Sequence, residues 1–357
     1  MKRNVVVLGL IVAVMAGVMA VRGDRELRPD ASAEIEREHA LRGHPGARLA
    51  ADAVLAISPR VASVRPSSAA PVPKLSPAMQ EYTFAKAYQP IYERLKAAPS
   101  RSPEQTWILA KILEECGRLA DRQDGVGSSR NGDEAIARFD ASLSPKDPQR
   151  AKRIAAFRVV NTDRCEGVRE VSTSESEIRD LLTQSAAAGD PKAAADLVFK
   201  NILARFRTQK DGSASGSIAE AEVETLKHSI ESGDPTALTG AMAALLLPVG
   251  NLSLRAGPDE RPVETSAMFG AAQLMACDLG AACGPDSTTL LNACARQGRC
   301  DGASLREYLF YYVMSPETSQ QVVQYESYIA QVVKNHDWSA FTFFHGPRPD
   351  IAPFVNR

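Results

Sequence analysis

The chain has 357 residues, 44% of them hydrophobic and 6% aromatic, with 42 Lys and Arg against 43 Asp and Glu. That apolar fraction excludes a chain disordered throughout, and a net charge of −1 excludes the basic excess of a general nucleic-acid binder. Only one apolar run, at the N-terminus, approaches the roughly 18 residues needed to span a bilayer, which excludes a polytopic membrane protein.

Lys2 and Arg3 precede that run, which extends uninterrupted from Val5 to Val21. As a helix it is about 25 Å long, a little short of the roughly 30 Å hydrocarbon core. It reads as a signal anchor that leaves the remainder exported. The alternative is a cleaved signal peptide with Val18-Met19-Ala20 as the small-residue site. The charge asymmetry is not clean, because Arg22, Arg25 and Arg28 follow, diluted by Asp24, Glu26 and Asp30. Residues 22–75, rich in Ala, Pro, Arg and Ser, form a flexible linker in this reading, extended through Ser67-Ser68-Ala69-Ala70-Pro71-Val72-Pro73.

From Ser76 onward helix starts follow one another. Ser76-Pro77, Ser102-Pro103-Glu104, Asp190-Pro191, Asp234-Pro235 and Ser315-Pro316-Glu317 each set a capping side chain before a proline at the first helical position, and Asp147-Pro148 repeats the device. Trp107, Leu109, Ala110, Leu113 and Cys116 line one predicted helix face, and Val322, Val323, Tyr325, Ile329, Val332 and Val333 another. Gly125 to Gly132 and Gln209 to Gly216 read as polar loops. Alternating Val, Ile and Thr runs between turns are absent, so no sheet is expected. The prediction for residues 76–345 is an all-α domain of eleven or twelve helices, followed by a tail at 346–357.

Of the six cysteines, Cys116 and Cys165 stand apart, while Cys277, Cys283, Cys294 and Cys300 run as C-x5-C-x10-C-x5-C. The preferred pairing is Cys116–Cys165, Cys277–Cys283 and Cys294–Cys300. Crossed pairs would have to join the ends of a helix about 15 Å long. Free thiols or a zinc set are the other readings, although structural zinc pairs usually sit about two to four residues apart. Disulfides fit an exported chain.

Gln184-Ser185-Ala186-Ala187-Ala188-Gly189-Asp190-Pro191-Lys192-Ala193 is echoed 44 residues later by His228-Ser229-Ile230-Glu231-Ser232-Gly233-Asp234-Pro235-Thr236-Ala237. Each block ends one helix on Gly, caps the next with Asp and starts it with Pro, which makes a tight helical hairpin. Cys277-Asp278-Leu279-Gly280-Ala281-Ala282-Cys283 is echoed by Cys294 to Cys300. These turns resemble those of the tetratricopeptide-like, Sel-type class of short helical repeats, in its disulfide-clipped exported form. The resemblance covers about 120 residues and implies a surface-presenting protein rather than an enzyme. The roughly 34-residue period of that class and its small/aromatic packing signature are absent, so the expected architecture is an irregular, α-solenoid-like array of antiparallel helical hairpins.

A search for chemistry returns little. Gly212-Ser213-Ala214-Ser215-Gly216 has Ala where a nucleophile elbow needs Ser, and Gly125-Val126-Gly127 lacks the third glycine of a dinucleotide fingerprint. No H-E-x-x-H or P-loop occurs. His228 with Glu224 reads as a helix-face pair, and Trp338, Phe341 and Phe344 as tail anchors with His336 and His345 at their rim. Glu326-Ser327 resembles the Glu-Ser of lytic transglycosylases, but the glycine-rich segment expected after it is missing. Consecutive Glu114 and Glu115 point about 100° apart on a helix and do not act as an acid pair. Two surface features remain: the basic stretch Lys146 to Arg169, which reads as a solvated helix face, and the aromatic stretch Leu305 to Met314, which reads as core filling.

The expected function is a non-catalytic scaffold or adaptor, with no catalytic residue, metal or cofactor, that binds a protein or peptide of the cell envelope. It would sit at a bacterial inner membrane through its N-terminal helix, with the folded domain in the periplasm. The alternatives are a peptidoglycan-active hydrolase and a soluble periplasmic ligand binder.

Overall fold

A computed structural model describes residues 75–119, 132–208, 218–247 and 252–345. The N-terminal anchor run, almost all of the linker, most of the two polar loops and the C-terminal tail lie outside the described residues. Among the described residues the chain is mostly helical, with thirteen helices. In chain order they are α1 (Pro77–Phe84), α2 (Gln89–Ala97), α3 (Pro103–Cys116), α4 (Gly132–Ser142), α5 (Arg150–Asn161), α6 (Glu175–Ala187) and α7 (Pro191–Thr208). Then come α8 (Glu220–Glu231), α9 (Pro235–Leu245), α10 (Thr265–Asp278), α11 (Thr288–Gln297), α12 (Leu305–Tyr308) and α13 (Pro316–Asn335). Helix α3 packs on α6, α6 on α7, α7 on α8 and α9, α9 on α10, and α10 on α13. To one side α4 packs on α5, and α5 on α11.

Proline-led starts carry the expected caps. Ser102 Oγ accepts from Gln105 N–H in a reciprocal capping box, and Ser76 and Ser315 cap α1 and α13. Asp190 Oδ1 accepts from the N–H groups of Lys192 and Ala193, and Asp234 Oδ1 from those of Thr236 and Ala237. The two halves of the 44-residue echo thus share one geometry. Before each cap a glycine takes the left-handed conformation that closes the preceding helix, at φ 92° for Gly189 and 68° for Gly233. A third equivalent, Gly280 at φ 101°, closes α10 inside the cysteine-clipped turn. Asp147 departs from the pattern: α5 begins three residues after it, and its carboxylate accepts from Gln149 N–H and Arg153 instead.

These starts converge on one lysine. Lys192, 4% exposed, holds Asp190 Oδ2 at 3.2 Å, Asp234 Oδ2 at 3.2 Å and Glu104 Oε1 at 3.4 Å, with its ammonium 5.5 Å from the Trp107 ring. Each aspartate therefore caps its helix with one oxygen and binds Lys192 with the other. Glu104 Oε2 accepts from Ser76 Oγ, which brings the start of α1 to the same node. Burial pushes the Lys192 ammonium down, but Asp234, Asp190 and Glu104 outweigh it and hold its pKa above the ordinary lysine value. Burial also pushes the Asp190 carboxyl up, against the pull of Lys192 and two backbone amides. Beside the node, Ser185 Oγ donates to Pro103 O, and Ser229, 44 residues on in the sequence echo, donates to Pro191 O, so one inter-helix hydrogen bond recurs.

Two expectations of burial change. Helix α3 is buried on almost every side, from Thr106 through Ala110 and at Ile112, Leu113 and Cys116, because α1, α2 and α6 surround it. On α13, Val322, Tyr325, Ile329 and Val332 are buried but Val323 is 54% exposed.

The expectation of no sheet is overturned. Leu252–Ala256 (β3) pairs antiparallel with Arg261–Pro262 (β4) and with Phe341–His345 (β5), and a parallel two-residue pair joins Arg118–Leu119 (β1) to Ser172–Thr173 (β2). In β3 Leu252, Leu254 and Ala256 are buried while Ser253 and Arg255 are not, an alternation with a period of two in a run too short to stand out. Phe341 is buried beside Trp338, but Phe344 is 43% exposed on the opposite face, under Arg255. Phe344 is thus not an anchor, since neighbouring strand residues point to opposite faces.

Lys192→Ala leaves three carboxylates around an emptied site and is expected to cost about 3–5 kcal/mol in urea unfolding of the oxidised protein. Thr236→Ala, at the matching position of the 44-residue echo, is expected to stay within about 0.5 kcal/mol. Equal effects of the two would remove Lys192 from its place as the node.

Candidate functional site

The six cysteines lie as three pairs at disulfide distance in the preferred pairing, with Cα–Cα separations of 5.1 Å for Cys116–Cys165, 5.7 Å for Cys277–Cys283 and 4.2 Å for Cys294–Cys300. The first clips the end of α3 to the short 3-10 turn after α5. The other two each tie the last turn of a helix to the loop that follows, at α10 and α11. Among the described residues no group of three or more His, Cys, Asp or Glu is arranged to hold a metal ion.

The acids considered for catalysis are engaged. Both Glu326 oxygens accept from Arg306, at 2.5 and 3.2 Å, and the Arg306 guanidinium lies 5.7 Å from the Phe310 ring. Burial holds the Glu326 carboxyl above its ordinary range despite Arg306, with Asp278 pushing the same way. Glu115 accepts from Tyr82 Oη at 2.8 Å, and Glu114 lies between Lys111 and Lys200. Adjacent in sequence, they serve different neighbours, as the helical angle requires. His228 is exposed and sits 4.0 Å from Glu231, while Glu224 pairs with Lys227. Glu231 also accepts from Trp338 Nε1 at 2.6 Å and lies 3.5 Å from His336, which fastens the C-terminal strand to α8.

The basic and aromatic stretches come together on one face. In α5 the expected solvated lysines and arginines divide. Arg153 Nε donates to Ala295 O at 2.8 Å and its Nη2 to Arg296 O at 3.1 Å, closing the C-terminal end of α11 with a cation. Lys152 pairs with Asp301 at 2.8 Å in the loop beyond Cys300. Behind them a small separate core forms from Ala156, Cys294 and Ala295, with Phe139 stacked on Phe157 at 4.1 Å between ring centres. Arg164 ties this side to the main stack by donating to Thr83 O, Ala85 O and Thr288 Oγ1.

Between α5, α11 and the Cys294–Cys300 loop lies an open cavity of about 310 Å³. Its lining is apolar at Ala155, Ala156, Val159, Leu290 and Leu291, with Lys152, Arg299 and Asp286 as its charged groups. The Arg299 guanidinium lies 4.7 Å from the ring centre of Tyr312. Tyr312 belongs to Leu309–Val313, a π-helical turn closed by Met314 N–H donating to Leu309 O at 2.9 Å. Tyr308 and Leu309 are buried, whereas Tyr311 is 79% and Tyr312 45% exposed, with the Tyr308 and Tyr312 rings 6.4 Å apart. Core filling thus holds for half of the aromatic stretch only. Met314 lies in the space that Gly270 leaves on α10, where a Cβ would come within 2.3 Å of its methyl carbon.

Sequence reasoning missed Lys192, Arg299 and the cavity. A lysine directly after an Asp-Pro helix start, in a segment otherwise rich in alanine, was the available sign for the first. Nothing local signals the other two. Comparison with protein-family models, curated proteins and solved structures finds no match.

Removing Cys116–Cys165, which closes a loop with a sequence separation of 49, is expected to cost about 4 kcal/mol; either short clip, with a separation of 6, about 2.4 kcal/mol. Thermal unfolding of paired Cys→Ser variants checks the order. For Glu114, burial pushes the carboxyl up, but Lys111 and Lys200 outweigh it and lower it from 4.5 to about 2. A depressed carboxyl stabilises the fold above its unfolded value, and that stability is lost as pH falls through the folded one. Glu114→Gln is therefore expected to cost about 2–3 kcal/mol at pH 7 and well under about 1 kcal/mol near pH 2, measured by denaturant unfolding across that window.

Proposed function

We propose that the protein is a non-catalytic scaffold or adaptor of the bacterial envelope that offers a helical surface to a protein or peptide partner. In this reading residues 1–21 anchor the chain in the inner membrane, residues 22–75 act as a spacer, and the folded domain is an irregular array of helical hairpins in the periplasm. The observation that carries the reading is the pair of exposed tyrosines, Tyr311 and Tyr312, with the Arg299 guanidinium 4.7 Å from the Tyr312 ring centre and Arg299 itself lining an open cavity. Tyrosine and arginine are the residue types enriched at the centres of protein interfaces. These side chains stand on a base clipped by disulfides, so little order has to be gained on binding. Three cysteine pairs at bonding distance support an oxidising compartment. The open cavity also favours a second reading, a soluble periplasmic ligand binder released by cleavage after Ala20.

An unreduced peptide map of the native protein is expected to return the three pairs together with peptides from residues 2–21. Six free thiols would overturn the export argument, and a mature start near Val21 would favour the soluble reading. Site-specific photocrosslinking from Tyr311 in the native envelope is expected to yield a discrete adduct that Tyr312→Ala and Arg299→Gln diminish at least tenfold, with thermal unfolding unchanged. An adduct insensitive to both changes would move the interface elsewhere.

A further inference from the structure

We infer that the cavity between α5 and α11 receives the C-terminal end of the partner polypeptide, with its last apolar side chain inside and its α-carboxylate on Arg299; this rests on the partner-binding reading above. The cavity measures about 310 Å³, the small end of ligand pockets and suited to one large side chain rather than a cofactor. Its floor of alanines, Val159 and Leu290 beside the Cys294–Cys300 bridge matches an aliphatic or aromatic group.

Charge selects the other half of the ligand. Three cations gather at this face, and two are already spent: Lys152 on Asp301, and Arg153 on Asp147 and the carbonyls of α11. Arg299 has no carboxylate paired with it among the described residues, yet it lines the cavity, and its guanidinium lies 4.7 Å from the Tyr312 ring centre. A stacked guanidinium keeps its N–H edges available, and a planar fork matches a carboxylate with two parallel hydrogen bonds. Asp286, the one carboxylate among the lining residues, disfavours a second negative charge on the ligand.

A free monocarboxylic acid has the same chemistry, but it ends at the cavity. The rim continues through Arg299 to Tyr312, which is exposed. A chain leading into the cavity lies over that ring and covers it, whereas a free acid leaves it bare.

The test uses the full-length oxidised protein on arrays of heptapeptides with six randomised positions and a final Leu, Phe or Asp, each made as free acid and as amide. Capture is expected on the Leu and Phe acids at least tenfold above their amides and above the Asp acid. Arg299→Gln is expected to abolish the difference between acid and amide. Ala155→Trp, which adds a ring at an exposed lining position, is expected to abolish capture on the acids while the disulfide map and thermal unfolding stay unchanged. Equal capture on acids and amides overturns this inference and leaves the partner reading standing, as does the absence of all capture if the Tyr311 crosslink persists. Octanoate binding as tightly as the acid peptides, with no effect of Tyr312→Ala, assigns the cavity to a free acid and also overturns it.

Discussion

The arrangement of the main helical stack depends on one buried ammonium. Helix N-termini carry partial positive charge and unpaired N–H groups, so each favours a carboxylate. Asp190, Asp234 and Glu104 meet that need at three starts, but bringing three carboxylates together in a dry site is unfavourable unless a cation joins them. Lys192 is that cation. Its position fixes the separations of α3, α7 and α9, and through Ser76 also where α1 begins. The Ser185 and Ser229 hydrogen bonds to proline carbonyls then set how far each helix slides along its neighbour.

The disulfides act where this node does not reach. Among the described residues, the α4, α5 and α11 side of the molecule buries only Ala156, Cys294 and Ala295 in a small core of its own. Cys116–Cys165 and Arg164 join it to the main stack, and Cys294–Cys300 holds the loop after α11. Arg153 completes the clasp at the carbonyl end of α11. These covalent and charge-assisted contacts substitute for missing burial, and they leave a cavity between the helices that a larger core would have filled.

The aromatic run divides between core and surface. Tyr308 and Leu309 are buried while Tyr311 and Tyr312 are exposed, and Met314, whose N–H closes the π turn, is seated over Gly270. Buried packing and exposed rings thus come from one short stretch of chain.

Much of this was determined locally and could be read from the sequence. Helix starts at Ser76, Ser102, Asp190, Asp234 and Ser315 depend on residues within one turn, and the cysteine pairing follows from short spacings and a helix length. The 44-residue echo likewise marks two turns of one geometry. What escaped was non-local. Lys192 gathers partners 88 and 42 residues away, and β3 pairs with a strand that begins at Phe341, far beyond any turn signal. Whether a lysine, an arginine or a tyrosine becomes a node, a helix clasp or an exposed ridge depends on which distant carboxylate, carbonyl or glycine lies opposite it, and only the packed chain decides that.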